Sequence, residues 1–159
     1  MSYPDPVYQG DTGEASGVYR LADAPAELPF RSGGAAHYLA TGASTKGQFG
    51  LYRWDMSSAA SGPSPHFHKT ISESFFVLSG TIRLYDGERW VDATRNDFLY
   101  VPEGGIHGFR NESGEPASML ILFAPGAPRE AYFEGLSELA DMTDEEKQAF
   151  FVQHDTYWI

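Results

Sequence analysis

The sequence contains no cysteine among its 159 residues. This absence excludes disulfide bonds, thiolate-bound zinc and a cysteine nucleophile. Imidazole and carboxylate side chains remain as ligands for a transition metal, and the chain has five histidines.

Basic residues are scarce, with 11 Lys and Arg against 22 Asp and Glu and a net charge of −11. Nucleic acid is therefore not an expected partner, because phosphate binding requires a basic surface. Phosphorylated substrates are disfavoured for the same reason. The acidic residues are concentrated in residues 129–159, which hold eight Asp and Glu against Arg129 and Lys147.

Long apolar segments are also missing. The longest uninterrupted one, MLILFA at 119–124, is far too short to cross a bilayer. The start, MSYPDPVYQGDTGE, has neither the basic nor the apolar part of a signal peptide. These features predict a soluble cytoplasmic protein without a membrane partner.

The middle of the chain is a succession of short apolar segments separated by turn residues. Between Ala36 and Phe123 these segments are HYLA, QFGLYRWDM, ESFFVLS, TIRLYD, RWVDA, DFLYV, HGFRN and SMLILF. Asp86-Gly87 between two of them is a strong hairpin signal. Many short strands at this spacing predict an all-β sandwich or barrel.

The two ends of the chain have different patterns. Residues 1–35, with four prolines, are irregular and are predicted to form an N-terminal arm with at most a short strand. Residues 126–159 change to a helical period, and Thr143 with Glu146 forms a capping box that opens a second helix. The predicted organisation is an arm at 1–35, a β-barrel at 36–125 and an acidic helical tail at 126–159. One helical face of the tail carries Tyr132, Phe133, Leu136 and Leu139.

The segment PHFHKTISESFFVLSG at 65–80 carries the main functional signal. His66 and His68 are two residues apart, so they point to the same side of a strand, as neighbouring metal ligands do. Glu73 would face the opposite side of a straight strand, so the chain must bend near residues 69–72 to bring it to the histidines. A solvent-exposed or hydrogen-bonded histidine pair is the alternative.

This segment and a second one, NDFLYVPEGGIHGFRN at 96–111, resemble the two conserved motifs of the cupin superfamily. The first motif is matched by HxH, Glu73 and Gly80, with Ala60 in place of its leading glycine. The second is matched by Pro102, Gly104, His107 and Asn111, with Asn96 in place of its leading glycine. Asn can adopt a positive φ, so this replacement affects the loop more than the ligands.

The resemblance implies a small antiparallel jelly-roll barrel with four metal ligands: His66, His68, Glu73 and His107. It does not include His37 or His154, which are expected to be surface or core residues. The segment HKTISESFFVLSG is similar to the corresponding segment of single-domain cupins of the quercetin 2,3-dioxygenase type. In that group the metal-bound glutamate also accepts the substrate's proton, which would make Glu73 catalytic. Because single-domain cupins often form pairs, the resemblance also implies a homodimer.

Three imidazoles and one carboxylate suit one divalent transition metal: Fe, Mn, Ni, Co or Zn. In an octahedral field they leave two positions for a substrate, or for substrate and dioxygen. By strand alternation, Phe75, Val77 and Phe109 share the ligands' side of the strands and are predicted to line a substrate pocket. An apolar site with few cations suits a flat, uncharged aromatic or polyketide-like compound.

Three functions follow from these features. The first is a metal-dependent dioxygenase acting on a small aromatic or enolic, flavonol-like substrate. The second is an isomerase or cyclase in which the metal polarises a carbonyl group without dioxygen. The third is a non-catalytic cupin that binds a small molecule.

Overall fold

The computed structural model describes residues 1–159 and contains eleven β-strands, two α-helices and one 3-10 helix. In chain order the strands are β1 (Leu28–Pro29), β2 (Gly34–Ala40), β3 (Gly50–Met56), β4 (His66–Phe67), β5 (Ser72–Ser79), β6 (Ile82–Tyr85), β7 (Trp90–Ala93), β8 (Phe98–Val101), β9 (Gly108–Arg110), β10 (Ala117–Ala124) and β11 (Tyr157–Trp158). The helices are α1 (Arg129–Gly135), the 3-10 helix (Leu136–Asp141) and α2 (Asp144–Gln153).

The strands form three antiparallel sheets around one core. The first has the order β1-β2-β3-β10-β5-β8, the second has the order β7-β6-β9, and the third pairs β4 with β11. Isolated bridges between His66 and His107 and between Ser61 and Asn111 connect the two ends of β9 to the segment that contains β4. The core draws residues from the first two sheets, among them Val77 and Ile121 from the first and Leu84 from the second. The predicted all-β antiparallel jelly-roll barrel with an N-terminal arm and a C-terminal helical tail is confirmed.

Alternation along β10 shows how the sequence specifies the barrel. This strand lies between β3 and β5, and its residues alternate between buried and partly buried. Successive side chains on a strand point to opposite faces, so every second residue of ASMLILFA enters the core. The inward set is Ala117, Met119, Ile121 and Phe123.

Two local predictions from turn residues are also confirmed. The segment around Asp86-Gly87 joins β6 and β7 as a hairpin, in which Tyr85 pairs with Trp90. Asn96 adopts a φ of 74°, as expected of an asparagine at a glycine position.

The helical tail differs from its sequence pattern in one respect. The apolar positions between Tyr132 and Leu139 do not form one helix, because α1 ends at Gly135 and a 3-10 helix follows. Glycine has a low helix propensity, and the ring of Phe150 packs against this residue so closely that a Cβ would lie 2.6 Å from it. The predicted capping box is present, since Thr143 and Glu146 exchange both hydrogen bonds at the start of α2.

The N-terminal segment contributes little to the barrel. Residues 1–19 are all exposed, and the first strand, β1, pairs only with β2. No helix of the structure combines the length and apolar character needed to cross a membrane.

Candidate metal centre

Three parts of the chain bring the predicted ligands together. His66 begins β4, and its backbone pairs with His107, just before β9, through two hydrogen bonds of 2.8 and 2.9 Å. His68 follows β4 at the start of the bend to β5, which carries Glu73. The predicted bend thus turns Glu73 towards the two histidines.

Each histidine ring is oriented by a backbone carbonyl. Nδ1 of His66 donates to Ser64 at 2.8 Å, and Nδ1 of His107 donates to Gly105 at 2.8 Å. Nδ1 of His68 donates to the carbonyl of Asp155 at 2.5 Å. Because a carbonyl only accepts, the proton of each neutral ring lies on Nδ1, and Nε2 is the nitrogen free to bind a metal.

The glutamate completes a compact group. Glu73 Oε2 lies 3.1 Å from Nε2 of His68 and 2.7 Å from Nε2 of His107. One ligand atom from each of the four residues lies within 4.8 Å of all the others. All four side chains are buried, with at most 5% of each residue exposed.

The electrostatics of this group favour a bound cation. Burial lowers the pKa of His66 to about 4, so this ring is neutral at pH 7 and can act as a ligand. Burial opposes ionisation of Glu73, but the charge and hydrogen bonds of His107 and His68 outweigh it and hold the pKa of Glu73 well below its usual range. Burial disfavours a proton on His107, but the attraction of Glu73 prevails and raises the pKa of that ring. An ionised carboxylate therefore stabilises positive charge where the ligand atoms converge.

The donor set fits a divalent transition metal. Three imidazole nitrogens and one carboxylate oxygen are ligands suited to Fe, Mn, Co, Ni and Zn alike, so the set does not choose among them. Metal binding would displace the proton that Glu73 attracts to His107, as expected where protons and cations compete for the same ligands. The buried His66, His68, Glu73 and His107 cluster thus has the geometry and the chemistry to hold a metal ion.

A cavity of about 700 Å³ opens beside the cluster. His66 and Glu73 form part of its wall, together with aromatic residues from the barrel and the tail. Phe109, predicted for the pocket, lies on this wall. Phe75 and Val77 are fully buried in the core and do not line the cavity, although the Phe75 ring centroid is 6.0 Å from that of His107. Their role in a substrate pocket stays a prediction.

The tail supplies site residues that the sequence analysis missed. Arg129 of α1 lines the cavity and is 4% exposed, and Tyr132, Phe133 and Trp158 lie on the same wall. The Asp155 carbonyl orients His68. The apolar period predicted that Tyr132 and Phe133 pack inward, but no local pattern marks Arg129 or Asp155.

The two remaining histidines lie outside the cluster, as expected. Nε2 of His37 is 3.1 Å from the Asp55 carboxylate, beside Arg53. The ring of His154 packs against Phe150 in the tail, with 4.6 Å between ring centroids.

Comparison with known proteins agrees with this geometry. Residues 52–123 match the family described as Cupin_2, a cupin domain. This part of the barrel is therefore similar to a cupin domain. The matched segment runs from β3 to β10 and contains all four clustered residues, whereas the arm and the tail lie outside it.

Individual relatives of this chain match only part of it. An uncharacterized protein of Aquifex aeolicus is 36% identical over 62 residues, which are 38% of this chain and 50% of that protein. The chain thus matches about half the length of this curated relative.

Solved structures share the fold of this barrel. KdgF from Halomonas sp. superposes with a TM-score of 0.62 at 15% identity, covering 72% of this chain and 99% of that one. The polyketide cyclase RemF from Streptomyces resistomycificus superposes with a TM-score of 0.56 at 21% identity, covering 72% and 82%. At these identities the likeness concerns the fold alone.

Proposed function

We propose that this protein is a metal-dependent cupin enzyme that acts on a small aromatic or enolic substrate, with a dioxygenase of the quercetinase type as the first candidate. The observation that carries the proposal is the buried cluster of three histidines and one glutamate on the wall of a largely aromatic cavity. Convergent polar groups in an apolar cavity of this size are typical of small-molecule sites.

In this proposal the clustered residues and the aromatic residues of the cavity have different roles. His66, His68, Glu73 and His107 would hold a divalent metal, which would supply Lewis-acid or redox chemistry. Glu73 is ionised at neutral pH because, despite burial, the charge and hydrogen bonds of His107 and His68 hold its pKa below the usual range. It would accept the proton of a substrate hydroxyl group that the metal makes more acidic. The aromatic residues of the wall would contact the apolar part of the substrate beside the enolate that this proton transfer forms.

Metal binding is tested by elemental analysis of protein purified without added metal. We expect one divalent transition metal per chain, and its loss in a His107→Ala variant. His37→Ala is the matched control, because His37 pairs with Asp55 outside the cluster. Full metal occupancy in the His107 variant would contradict the assignment of the site.

Dioxygenase activity is tested by oxygen uptake with flavonols as substrates and several reconstituted metals. We expect uptake that depends on metal and is lost in Glu73→Gln. Failure of every metal and flavonol to support uptake would contradict the dioxygenase.

An isomerase or cyclase is the second candidate. Arg129, a buried cation in the same cavity, is compatible with it, because a cation can stabilise an enolate whether or not dioxygen takes part. The fold shared with a polyketide cyclase is consistent with this candidate. Turnover of an enolisable polyketide-like compound under strict anaerobiosis would favour it over the dioxygenase, and binding of an unchanged compound would indicate a non-catalytic cupin.

The small-molecule substrate and the homodimer are parts of the same proposal. Sedimentation of the purified protein tests the dimer, which predicts twice the chain mass of 17.5 kDa.

A further inference from the structure

Arg129 is a buried cation without a carboxylate partner. It begins α1, is 4% exposed, and has no salt bridge within 4.0 Å. Nη1 donates to the carbonyl of His154 at 2.6 Å, whereas Nε has no hydrogen-bond partner. The guanidinium carbon lies 4.2 Å from the ring centroid of Tyr132 and 5.1 Å from that of Phe123.

Such a cation requires a compensating negative charge. Removing a guanidinium from water is costly unless it is paired and hydrogen-bonded. The two carboxylates whose charge acts on Arg129, Glu73 and Asp155, are bound elsewhere. Glu73 is hydrogen-bonded to the rings of His68 and His107. Asp155 accepts hydrogen bonds from Lys69 and Thr70. Carbonyl and aromatic contacts alone therefore hold the Arg129 guanidinium.

The cavity joins this cation to the metal cluster. Arg129, His66 and Glu73 line the same space of about 700 Å³. A bound divalent ion, the Glu73 carboxylate and the Arg129 guanidinium together leave two positive charges uncompensated. The neutral imidazoles add no charge. The other charged residues of the wall, Arg31 and Glu134, are exposed to solvent, which screens them. An occupant that carries negative charge would balance the buried charges.

We propose that Arg129 binds an oxyanion, a carboxylate or enolate oxygen, of an apolar substrate whose other end faces the metal cluster. Guanidinium is suited to this role, because its planar donors match two oxygens and its faces stack on aromatic rings. The inference rests on the proposed function, because it assigns a charge to the substrate of the same site. It replaces the uncharged compound expected from the scarcity of basic residues.

Binding of two probes of equal shape tests the charge preference. The probes are 2-naphthoate and 2-naphthamide, measured by calorimetry at neutral pH with the metal-loaded protein and with protein treated with a chelator. We expect wild type to bind the carboxylate at least about 10-fold more tightly than the amide in both states. The chelated state is decisive, because there the metal cannot contribute to the preference.

Variants locate the preference at Arg129. Arg129→Gln should weaken naphthoate binding by about 10- to 100-fold and leave naphthamide within about 3-fold. Arg129→Lys, which keeps the charge, should retain part of the preference. Arg89→Gln is the matched control, because its side chain is 80% exposed. A purely structural role of Arg129 would weaken both probes equally, so the ratio of the two affinities separates binding from folding.

The outcomes are distinguishable. Equal affinity of wild type for both probes, or no binding of either, overturns the inference without any variant. Loss of the preference in Arg31→Gln and its retention in Arg129→Gln would overturn it as well. A preserved preference for naphthoate together with absence of any turnover would count against the proposed enzyme and leave the role of Arg129 intact.

Discussion

The two ends of the chain both lie outside the segment that matches the cupin family, yet they stand in opposite relations to the barrel. Residues 1–19 are exposed throughout, and Tyr19 is 87% exposed. In the tail, Tyr132 and Phe133 are almost fully buried and belong to the core. Aromatic residues occur in both ends, so composition does not explain the difference.

The tail docks on the barrel through polar contacts as well as through the buried rings of Tyr132 and Phe133. The hydroxyl of Tyr52 donates to Glu130 at 2.6 Å, and that of Tyr38 donates to Glu134 at 3.1 Å. At the C-terminus, β11 pairs with β4, the strand that begins with His66. A segment outside the matched family thus forms part of the cavity wall and orients His68. Residues 1–19 of the arm make no comparable contact with the site, whereas residues 28–33 at its end line the cavity.

The strongest test of this contrast is deletion. Removing residues 127–159 exposes the core beneath Tyr132 and Phe133. Truncation of one such aromatic residue costs about 3–5 kcal/mol, and a whole domain is stable by only about 5–15 kcal/mol. We expect a chain that is unfolded or strongly destabilised and binds no metal.

Deletion of residues 1–19 is the matched control. These residues bury nothing, so thermal unfolding followed by circular dichroism and metal content should both be unchanged. Equal damage from the two deletions would contradict the contrast between the ends.

A point substitution in each end gives the next largest effect. The ring of Phe133 packs against Tyr52 and Trp54, with centroid distances of 5.2 and 5.0 Å. Phe133→Ala should lower the free energy of unfolding by about 3–5 kcal/mol, because it leaves a cavity in the core. Tyr19→Ala should change it by less than about 0.5 kcal/mol. Urea denaturation measures both, and a small effect of Phe133→Ala would show that the tail packs loosely.

The ligand cluster could be predicted from sequence because its information is local. His66 and His68 share a strand face, Glu73 follows a bend rich in polar residues, and His107 follows a turn marked by proline and glycine. The β-hairpin and the capping box are likewise set by residues a few positions apart.

Arg129 and Asp155 could not be predicted in this way. Arg129 lines the same cavity as Glu73 but lies 56 positions after it in the chain. An arginine in an acidic segment normally indicates a solvated surface. Asp155 acts through its backbone carbonyl, which every residue possesses. Its φ of 52° is that of a residue directly after the C-cap of a helix, and it does not indicate a contact with His68. Both positions depend on how the tail docks on the barrel, and no local sequence pattern predicts that docking.

Asp155 offers a smaller and more specific test. Its carboxylate accepts hydrogen bonds from the backbone of Lys69 and Thr70, both at 2.9 Å, and from the Thr70 hydroxyl at 2.7 Å. Asp155→Asn places an amide group against one of these donors and should cost about 1–2 kcal/mol. We expect weaker metal retention as well, because His68 is oriented by the same residue. Asp5→Asn in the arm is the control.

The effect of Asp155→Asn should depend on pH. Burial raises the pKa of Asp155, but the hydrogen bonds from Thr70 and Lys69 outweigh it and lower the pKa below the ordinary value of 3.8. The charged carboxylate therefore stabilises the fold above pH 3.8, and this contribution is lost as the pH falls through the folded-state pKa. The difference in unfolding free energy between wild type and variant should be constant above pH 3.8 and shrink below it. A difference that grows on acidification would contradict this assignment.

The helix cap of α2 should have a still smaller effect. Thr143 Oγ1 accepts from the backbone N–H of Glu146 at 3.2 Å. Thr143→Ala should lower the free energy of unfolding by about 1 kcal/mol, as for other N-caps. Thr12→Ala in the arm makes the same change at an exposed residue and should have no effect. Thermal unfolding measures both variants. An equal change of melting temperature in Thr143→Ala and Thr12→Ala would mean that the cap of α2 adds nothing to stability.

The smallest effect is expected at the only ion pair formed within the arm region. Arg20 Nη1 lies 2.6 Å from Glu27, and their side chains are 26% and 33% exposed. Ion pairs in contact with water contribute about 0–1 kcal/mol and weaken with salt, so Arg20→Gln should be nearly silent in urea denaturation. Arg129 has no carboxylate partner but is buried, and its replacement should alter stability more than that of Arg20. The reverse order would mean that Arg20 anchors the arm to the barrel, and the contrast between the two ends would fail.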